Sequence, residues 1–251
     1  MAESEGVDRV FFELASESRL CILRELSAKN YKMQELARKL DLTDTEAFRQ
    51  LQRLSEALLI QRQPDGAYAI TQYGKLLMQF SLSFEFAAKH KSCLLTRDIW
   101  RIPEPFVNRL GELAHADLNT NTLEMLNSVE LLIKNVESHL WIMSNQPMNL
   151  MGSGITERYQ KNPFTIRIIC DEASAPLFEN TQEIKGVLEK RVIPALPVTM
   201  VLSEKYAGVN LLSLDGRADS AIFYGKDRSL MKWSNDLFLY YWDQAKRWFP
   251  K

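Results

Sequence analysis

No run of 18 or more apolar residues occurs in the 251-residue chain, so a transmembrane helix is not expected. The opening Ala2-Glu3-Ser4-Glu5 is acidic and has no apolar stretch behind it, which argues against secretion. Cysteine is scarce: Cys21, Cys93 and Cys170 are widely spaced, odd in number and form no C-x-x-C pair. That pattern disfavours disulfides and a zinc ribbon and fits a reducing, cytoplasmic setting. There is no internal repeat and no low-complexity segment. Neither sign of charge dominates, the net being −1. Catalytic signatures are missing as well, with no G-x-S-x-G elbow, no Gly-rich phosphate loop and no H-E-x-x-H. These absences point to a non-enzyme without cofactor or metal. What is present is a globular composition, 46% hydrophobic and 25% charged, with enough apolar material for two cores.

The stretch from Met33 to Lys75 is the most informative. Met33, Leu36, Ala37 and Leu40 define a short amphipathic helix that runs into Asp41–Leu42. Thr43 opens a second helix, with Ala47, Phe48, Leu51, Leu54 and Leu58 inward and Arg49, Gln50, Gln52 and Arg53 outward. Two short strands follow around Pro64-Asp65-Gly66, closed by Ala69-Ile70, and a new helix begins at Thr71-Gln72-Tyr73-Gly74. This is the order of parts in a winged helix-turn-helix, which lays one helix in a major groove with a hairpin beside it. Arg49 and Arg53 share a face four residues apart, with Gln50 adjacent and Thr45 one turn earlier. Arginine can bridge guanine O6 and N7, glutamine can pair with adenine, and threonine can touch a phosphate or a thymine methyl. Thr43, Thr45, Arg49, Gln50, Arg53 and Arg62, the last on the strand entering the wing, are the candidate DNA contacts. From Lys29 to Lys75 the basic residues Lys29, Lys32, Arg38, Lys39, Arg49, Arg53, Arg62 and Lys75 only slightly outnumber Glu35, Asp41, Asp44, Glu46, Glu56 and Asp65. Phosphate neutralisation per protomer is therefore modest, and a homodimer is needed for useful affinity.

Ahead of this stretch, Val7–Leu14 and Ser18–Leu26 read as amphipathic helices, with Ser16 placed to cap the second. After it, a helix reaching about Cys93 carries Tyr73, Leu77, Phe80, Phe84 and Ala87 in a narrow seam flanked by Leu76 and Met78. That seam reads either as packing within the domain or as a dimer contact.

Pro103 and Pro105 break the helical pattern, and the chain divides into domains 1–96 and 97–251. Helices are expected at Pro105–Ala114, Thr122–Val136, Ile184–Arg191 and Asn235–Phe249, the last capped by Ser234. Strands are expected at His139–Ser144, Phe164–Cys170, Val198–Leu202, Val209–Leu214 and Ser220–Tyr224, the last two flanking the Asp215-Gly216 turn. The fold class is therefore α+β in two domains, with an α/β C-terminal half. Strand ends in such sheets tend to bind ligands. That makes Ser144, Asn145 and Asp171 candidate effector contacts, with Trp233 as a pocket wall.

The pattern Thr43-(x)5-Arg49-x-Leu51-(x)2-Leu54-(x)3-Leu58-x-Ile60, followed by Tyr68-Ala69-Ile70-Thr71-(x)2-Gly74-(x)2-Leu77, resembles winged-helix regulators of the ArsR and MarR type. Their metal-binding cysteine motif has no counterpart around the isolated Cys21. Ile99-Trp100-Arg101-Ile102-Pro103, Asp215-Gly216-(x)2-Asp219 and Trp233-Ser234-Asn235-Asp236-Leu237-Phe238-(x)2-Tyr241-Trp242 resemble the effector domain of archaeal regulators of the methanogenesis-regulator and TrmB-related type. That resemblance implies a phospholipase D-like sheet. Phospholipase D chemistry needs His-x-Lys-(x)4-Asp. The three histidines stand in His90-Lys91-Ser92, His115-Ala116-Asp117 and His139-Leu140-Trp141, none with lysine two residues on. The expectation is a homodimeric, double-stranded-DNA-binding transcription regulator modulated by a small-molecule effector and without membrane attachment. A protein–protein interaction module built on the same head is the alternative.

Overall fold

The computed structural model describes residues 6–146, 159–178 and 188–248. The chain forms two compact units, Met1–Leu82 and Ser83–Lys251, each with its own core.

The first unit contains α1 (Val7–Leu14), α2 (Glu17–Ala28), α3 (Met33–Lys39), α4 (Asp44–Glu56), β1 (Ile60–Arg62), β2 (Tyr68–Ile70) and the start of α5 (Gln72–Lys89). Ile22, Leu23, Leu26, Leu36, Leu51, Leu54, Leu59 and Ile70 make its core. Local chemistry sets the boundaries. Asp41, at φ 53, ends the α3 connection in the left-handed region. Thr43 then caps α4, its Oγ1 accepting the Glu46 amide at 3.2 Å. Gly66, at φ 83, turns the hairpin, whose register pairs Ile60 with Ile70 and Arg62 with Tyr68. Thr71 Oγ1 donates to Leu58 O at 2.7 Å and accepts the Gly74 amide at 3.0 Å, fixing the start of α5. A Cβ on Gly74 would lie 2.2 Å from Leu59 O, so only glycine fits this close approach.

Three expectations for this unit need correction. Phe48, placed inward by its spacing, is 55% exposed. Leu58 is 68% exposed because its φ of 57 reverses the chain after α4 and carries it off the helix face. Ser16 occupies the N-cap of α2, but its side chain makes no capping hydrogen bond.

The second unit, which includes the short α6 (Lys91–Leu94), is built on a mixed sheet, eight-stranded among the described residues. Its strands are β3 (Asp117–Asn119), β4 (His139–Met143), β5 (Thr165–Asp171), β6 (Leu188–Ile193), β7 (Val198–Ser203), β8 (Ala207–Leu211), β9 (Ile222–Gly225) and β10 (Lys246–Arg247). They are ordered β10-β6-β5-β4-β7-β8-β9-β3, with β4, β5 and β6 parallel to one another and the remaining pairs antiparallel. Alternate residues face opposite sides. Leu140, Ile142, Ile166 and Ile168 meet α8 (Thr122–Lys134) through Leu132 and Ile133, with Val136 just beyond the helix in the same cluster. Met143, Ile169 and Ile193 meet α9 (Arg228–Gln244) through Trp233, Leu237, Phe238 and Trp242. Burial on both faces explains the near-continuous apolar runs of β4 and β5. The observed class is thus α+β with a large mixed sheet. Among the described residues no helix is long and apolar enough to cross a membrane.

Several boundaries here also differ from expectation. Leu188–Arg191 is strand rather than helix, because these residues pair in parallel with β5 from Ile166↔Leu188 onward; residues 184–187 lie outside the described set. The helix at Pro105–Ala114 is two short pieces, α7 (Glu104–Val107) and a 3-10 turn at Leu110–Leu113. Arg109 sits at the break, tied to Glu112 and Asp236, each at 2.7 Å. The last helix starts at Arg228, not Asn235, since Asp227 caps it by accepting the amides of Ser229 and Leu230 at 2.9 and 3.3 Å. Ser234 is fully buried in mid-helix.

Candidate nucleic-acid interface

The inward side of α4 is Ala47, Leu51 and Leu54, at spacings of four and three, buried against α2 and α3. Helical geometry then leaves Thr45, Phe48, Arg49 and Gln52 on the opposite face, and all four are exposed. Gln52 Nε2 donates to Glu56 at 3.0 Å. Arg49 makes no ion pair among the described residues, although Glu46 stands one turn away on the same helix. Arg62 on β1 is likewise exposed and without an ion pair among the described residues. At the wing tip, Asp65 accepts the Ala67 amide at 3.0 Å, so that carboxylate shapes the turn.

Two of the expected contacts are held elsewhere. Gln50 is 6% exposed, and its Oε1 accepts from Arg19 Nη1 at 3.2 Å. The outward orientation read from its spacing is therefore wrong: helix periodicity puts Gln50 toward α2, where a buried arginine needs an acceptor. Arg53 is half-withdrawn, 2.8 Å from Glu13 and with its guanidinium 5.0 Å from the Phe12 ring centroid. Lys39 is engaged too, 2.8 Å from Glu25 and 3.0 Å from the Tyr31 hydroxyl. Its hydrogen bond to Glu25 and the tyrosine raises the Lys39 ammonium above its usual range and holds the Glu25 carboxyl below its own. The exposed face of α4 with the β1 edge thus narrows to Thr45, Phe48, Arg49, Gln52 and Arg62, with Thr43 serving as the helix cap.

Behind α4 lies a polar knot that pattern reading missed. Arg19 and Glu13 are each 6% exposed. Arg19 Nε sits 3.0 Å from Glu13 Oε2 and donates to the Glu13 carbonyl at 2.8 Å, while Nη2 donates to the Phe12 carbonyl at 2.7 Å. Burial pulls the Arg19 guanidinium below its ordinary value, Glu13 opposing and Arg53 adding to that shift. A signal for it does exist in the sequence: Arg19 precedes Ile22, Leu23 and Leu26 at three, four and seven residues, squarely on the apolar face of α2.

In the second unit, Ser144, Asn145 and Asp171 do gather at the carboxyl ends of neighbouring parallel strands β4 and β5, where the Ser144 amide donates to Ile169 O at 3.0 Å. Ser144 Oγ donates to Gln146 O at 3.2 Å, and Asn145 Oδ1 is buried without a hydrogen-bond partner. Asp171 Oδ1 accepts from the Ser174 amide at 2.8 Å and hydroxyl at 2.6 Å. Trp233 does not join them. It is fully buried, its Nε1 donating to Phe106 O at 3.1 Å, and is a core residue where a pocket wall was expected. The Asp215-Gly216-(x)2-Asp219 element proves to be a clamp: Arg97 holds Asp219 at 2.7 Å, and Asn210 Nδ2 donates to the Asp219 and Ala221 carbonyls at 2.8 Å. Burial and the neighbouring Asp171 push the Cys170 thiol up to about 11, which keeps it protonated. No group of three or more His, Cys, Asp or Glu is placed to hold a metal ion among the described residues.

Residues 7–89 match the family described as the HVO_A0261 N-terminal domain, a span that takes in α1 to α5 and the hairpin. No curated protein sequence matches the chain. Among solved structures, TrmBL2, described as an archaeal chromatin protein showing a novel mode of DNA binding, is 14% identical. That match covers 90% of this chain and 92% of TrmBL2, at a TM-score of 0.46. NucT from Helicobacter pylori is 11% identical over 53% of this chain and 98% of its own, at a TM-score of 0.41. The phospholipase D family member Nuc from Salmonella typhimurium is 11% identical over 51% and 90%, at 0.37. Likenesses of this extent carry no inference about what the chain binds.

Proposed function

We propose that the first unit is a winged helix-turn-helix that binds double-stranded DNA, with α4 in the major groove and the β1–β2 wing against the backbone. The observation behind this reading is the exposed face of α4. Thr45, Arg49 and Gln52 stand outward together, and Arg49 has no ion pair among the described residues to compete with a base or a phosphate. Arg62 supplies the wing's phosphate contact, and Thr43 and Thr45 lie at the helix start, where backbone amides also favour phosphate. The exposed stripe on α5, including Tyr73, Leu76 and Phe80, supports pairing of two copies into a homodimer. Two heads would then meet half-sites roughly 34 Å apart. The second unit is assigned a regulatory role, in which a small-molecule effector changes the spacing of the heads.

The test is a titration of purified protein against fragmented genomic DNA at two salt concentrations, with the bound fraction sequenced. A two-fold-symmetric site whose affinity falls steeply with salt supports the proposal. Arg49→Ala should weaken binding by about 1–3 kcal/mol and relax specificity at one position, while Arg62→Ala should reduce the salt slope by about one without changing the preferred site. Wild-type affinity in both variants would defeat the assignment of α4. The exposed Phe48 favours a second reading, a protein-recruiting module, because an apolar ring at the centre of a DNA-facing helix is unusual cargo. Under that reading DNA enrichment stays flat and Phe48→Ala abolishes partner capture.

A further inference from the structure

On the face of the sheet covered by α9, three arginines cluster at the β5–β6–β10 edge. Arg167 on β5 has the register of Glu189 on β6, Arg191 lies two residues further on, and Arg191 pairs directly with Arg247 on β10. Register partners project to the same side, so Arg191 and Arg247 stand side by side, an arrangement of like charges that destabilises a sheet unless something offsets it. Among the described residues no ion pair does so: Arg167, Arg191 and Arg247 make none. The nearby carboxylates are Glu189, across from Arg167, and Asp243, next to Trp242 on α9; both are exposed and neither is ion-paired among the described residues.

The floor beneath Arg167 and Arg191 is aromatic. The Arg191 guanidinium lies 4.3 Å and that of Arg167 4.9 Å from the Trp242 ring, and Arg167 is also 5.3 Å from Trp141. Trp141 and Trp242 each stack on Phe238, at 5.0 and 5.7 Å. Arg191 Nη1 is fixed to Trp242 O at 2.7 Å, yet its Nε is buried with no hydrogen-bond partner, as is Trp141 Nε1. Cation–π contact holds a guanidinium in place without neutralising it. Arg167 and Arg191 are thereby held in place, Arg191 with a donor still unused, and the exposed Arg247 stands beside Arg191. Planar forks of this kind match the oxygens of a phosphate.

We infer that Arg167, Arg191 and Arg247 form a binding site for a small molecule carrying a phosphate or pyrophosphate group. Arg167 lies in the amino half of β5, whereas Arg191 pairs with Ile169, two residues short of Asp171 on the same sheet face. The site stands independently of the DNA-binding proposal.

The experiment is calorimetric titration of the full chain with inorganic pyrophosphate and with inorganic phosphate, ionic strength held constant with chloride, and tryptophan fluorescence read in parallel. Saturable binding is expected, weakened about tenfold or more in Arg167→Gln and in Arg247→Gln, since each loses a charge-assisted hydrogen bond. Arg217→Gln, exposed on the Asp215 turn, should bind like the parent. Arg191 is spared because it anchors α9. Arg247 lies on an exposed edge, so its variant tests the site even where Arg167→Gln alters the fold. Failure to saturate by about 20 mM, where affinity falls to roughly 2 kcal/mol, overturns the proposal. So does equal weakening in Arg217→Gln, or saturation by a short duplex DNA and by neither free anion, which would assign the arginines to a nucleic-acid backbone.

Discussion

Replacing Glu13 by alanine should unfold the first unit selectively. Its carboxylate is nearly inaccessible and faces two guanidinium groups, Arg19 at 3.0 Å and Arg53 at 2.8 Å. Removing one member of a buried pair costs about 3–5 kcal/mol, because the other charge stays desolvated without compensation. The Arg53 contact adds less than about 1 kcal/mol, since that side chain is 38% exposed and solvent screens it. Arg19 keeps its bonds to two backbone carbonyls and to Gln50, which places the loss near the lower bound, about 3 kcal/mol. For a domain of this size that corresponds to roughly 15 °C in Tm. Urea is the denaturant of choice, as it leaves ion pairs unscreened. All five tryptophans (Trp100, Trp141, Trp233, Trp242 and Trp248) lie in the second unit, so fluorescence reports that unit alone while ellipticity at 222 nm reports both. Glu13→Ala should shift a transition seen by ellipticity and leave the fluorescence transition in place. The double variant Glu13→Leu/Arg19→Met should recover most of the stability, because apolar residues of similar volume often replace a buried pair without loss. A Glu13→Ala protein within about 1 kcal/mol of the parent, or a shift confined to fluorescence, would refute the reasoning.

Gln50→Ala should lower stability by about 1–2 kcal/mol through the lost acceptor for Arg19. Its DNA affinity should be unchanged under conditions where the protein is fully folded, in contrast to Arg49→Ala. Gly74→Ala should cost about 1–3 kcal/mol in denaturant unfolding, because the new methyl meets the Leu59 carbonyl and no flexible atom can yield. His90 is buried between Phe86 and Phe223, and burial with the nearby Lys89 holds its pKa below the ordinary value. The unfolded chain then takes the proton first, so this contribution is complete above about pH 6.5 and is lost as pH falls below it. Tm measured from pH 7 to 5 should fall less steeply in His90→Phe; an unaltered slope would exclude His90 as its source. His139, also lowered by burial, keeps part of the slope in either protein.

Much of the first unit is legible because its determinants are local. Caps such as Thr43, the 3.6-residue spacing of Ala47, Leu51 and Leu54, and the Gly66 turn each act over a few residues. Errors arise where a distant partner decides. Gln50 turns inward for Arg19, 31 residues earlier, and Arg53 for Glu13, 40 residues earlier. Glutamine and arginine at those positions read as solvent-facing because nothing in their neighbourhood announces a buried counterpart. The Leu188–Ile193 strand is another such case, since its amphipathic pattern is short and its ladder partners are β5 and β10. Asp227, not Ser234, begins α9 because a charged side chain accepting two amides outcompetes a serine that tertiary packing has buried.

The sequence by itself determined the helices and hairpin of the head and the buried strands β4 and β5, since helix caps, turn glycines and hydrophobic period are properties of adjacent residues, whereas the compact units divide at Leu82–Ser83 and not at the Pro103–Pro105 break region. Only tertiary structure decided which polar side chains are free to meet a partner. Arg49 and Arg62 are exposed without ion pairs among the described residues, Gln50 and Arg53 are bound inward, and Arg167, Arg191 and Arg247 are gathered at one sheet edge. The physical reason is that burial and ion pairing depend on through-space neighbours, which the order of residues does not display until the chain has packed.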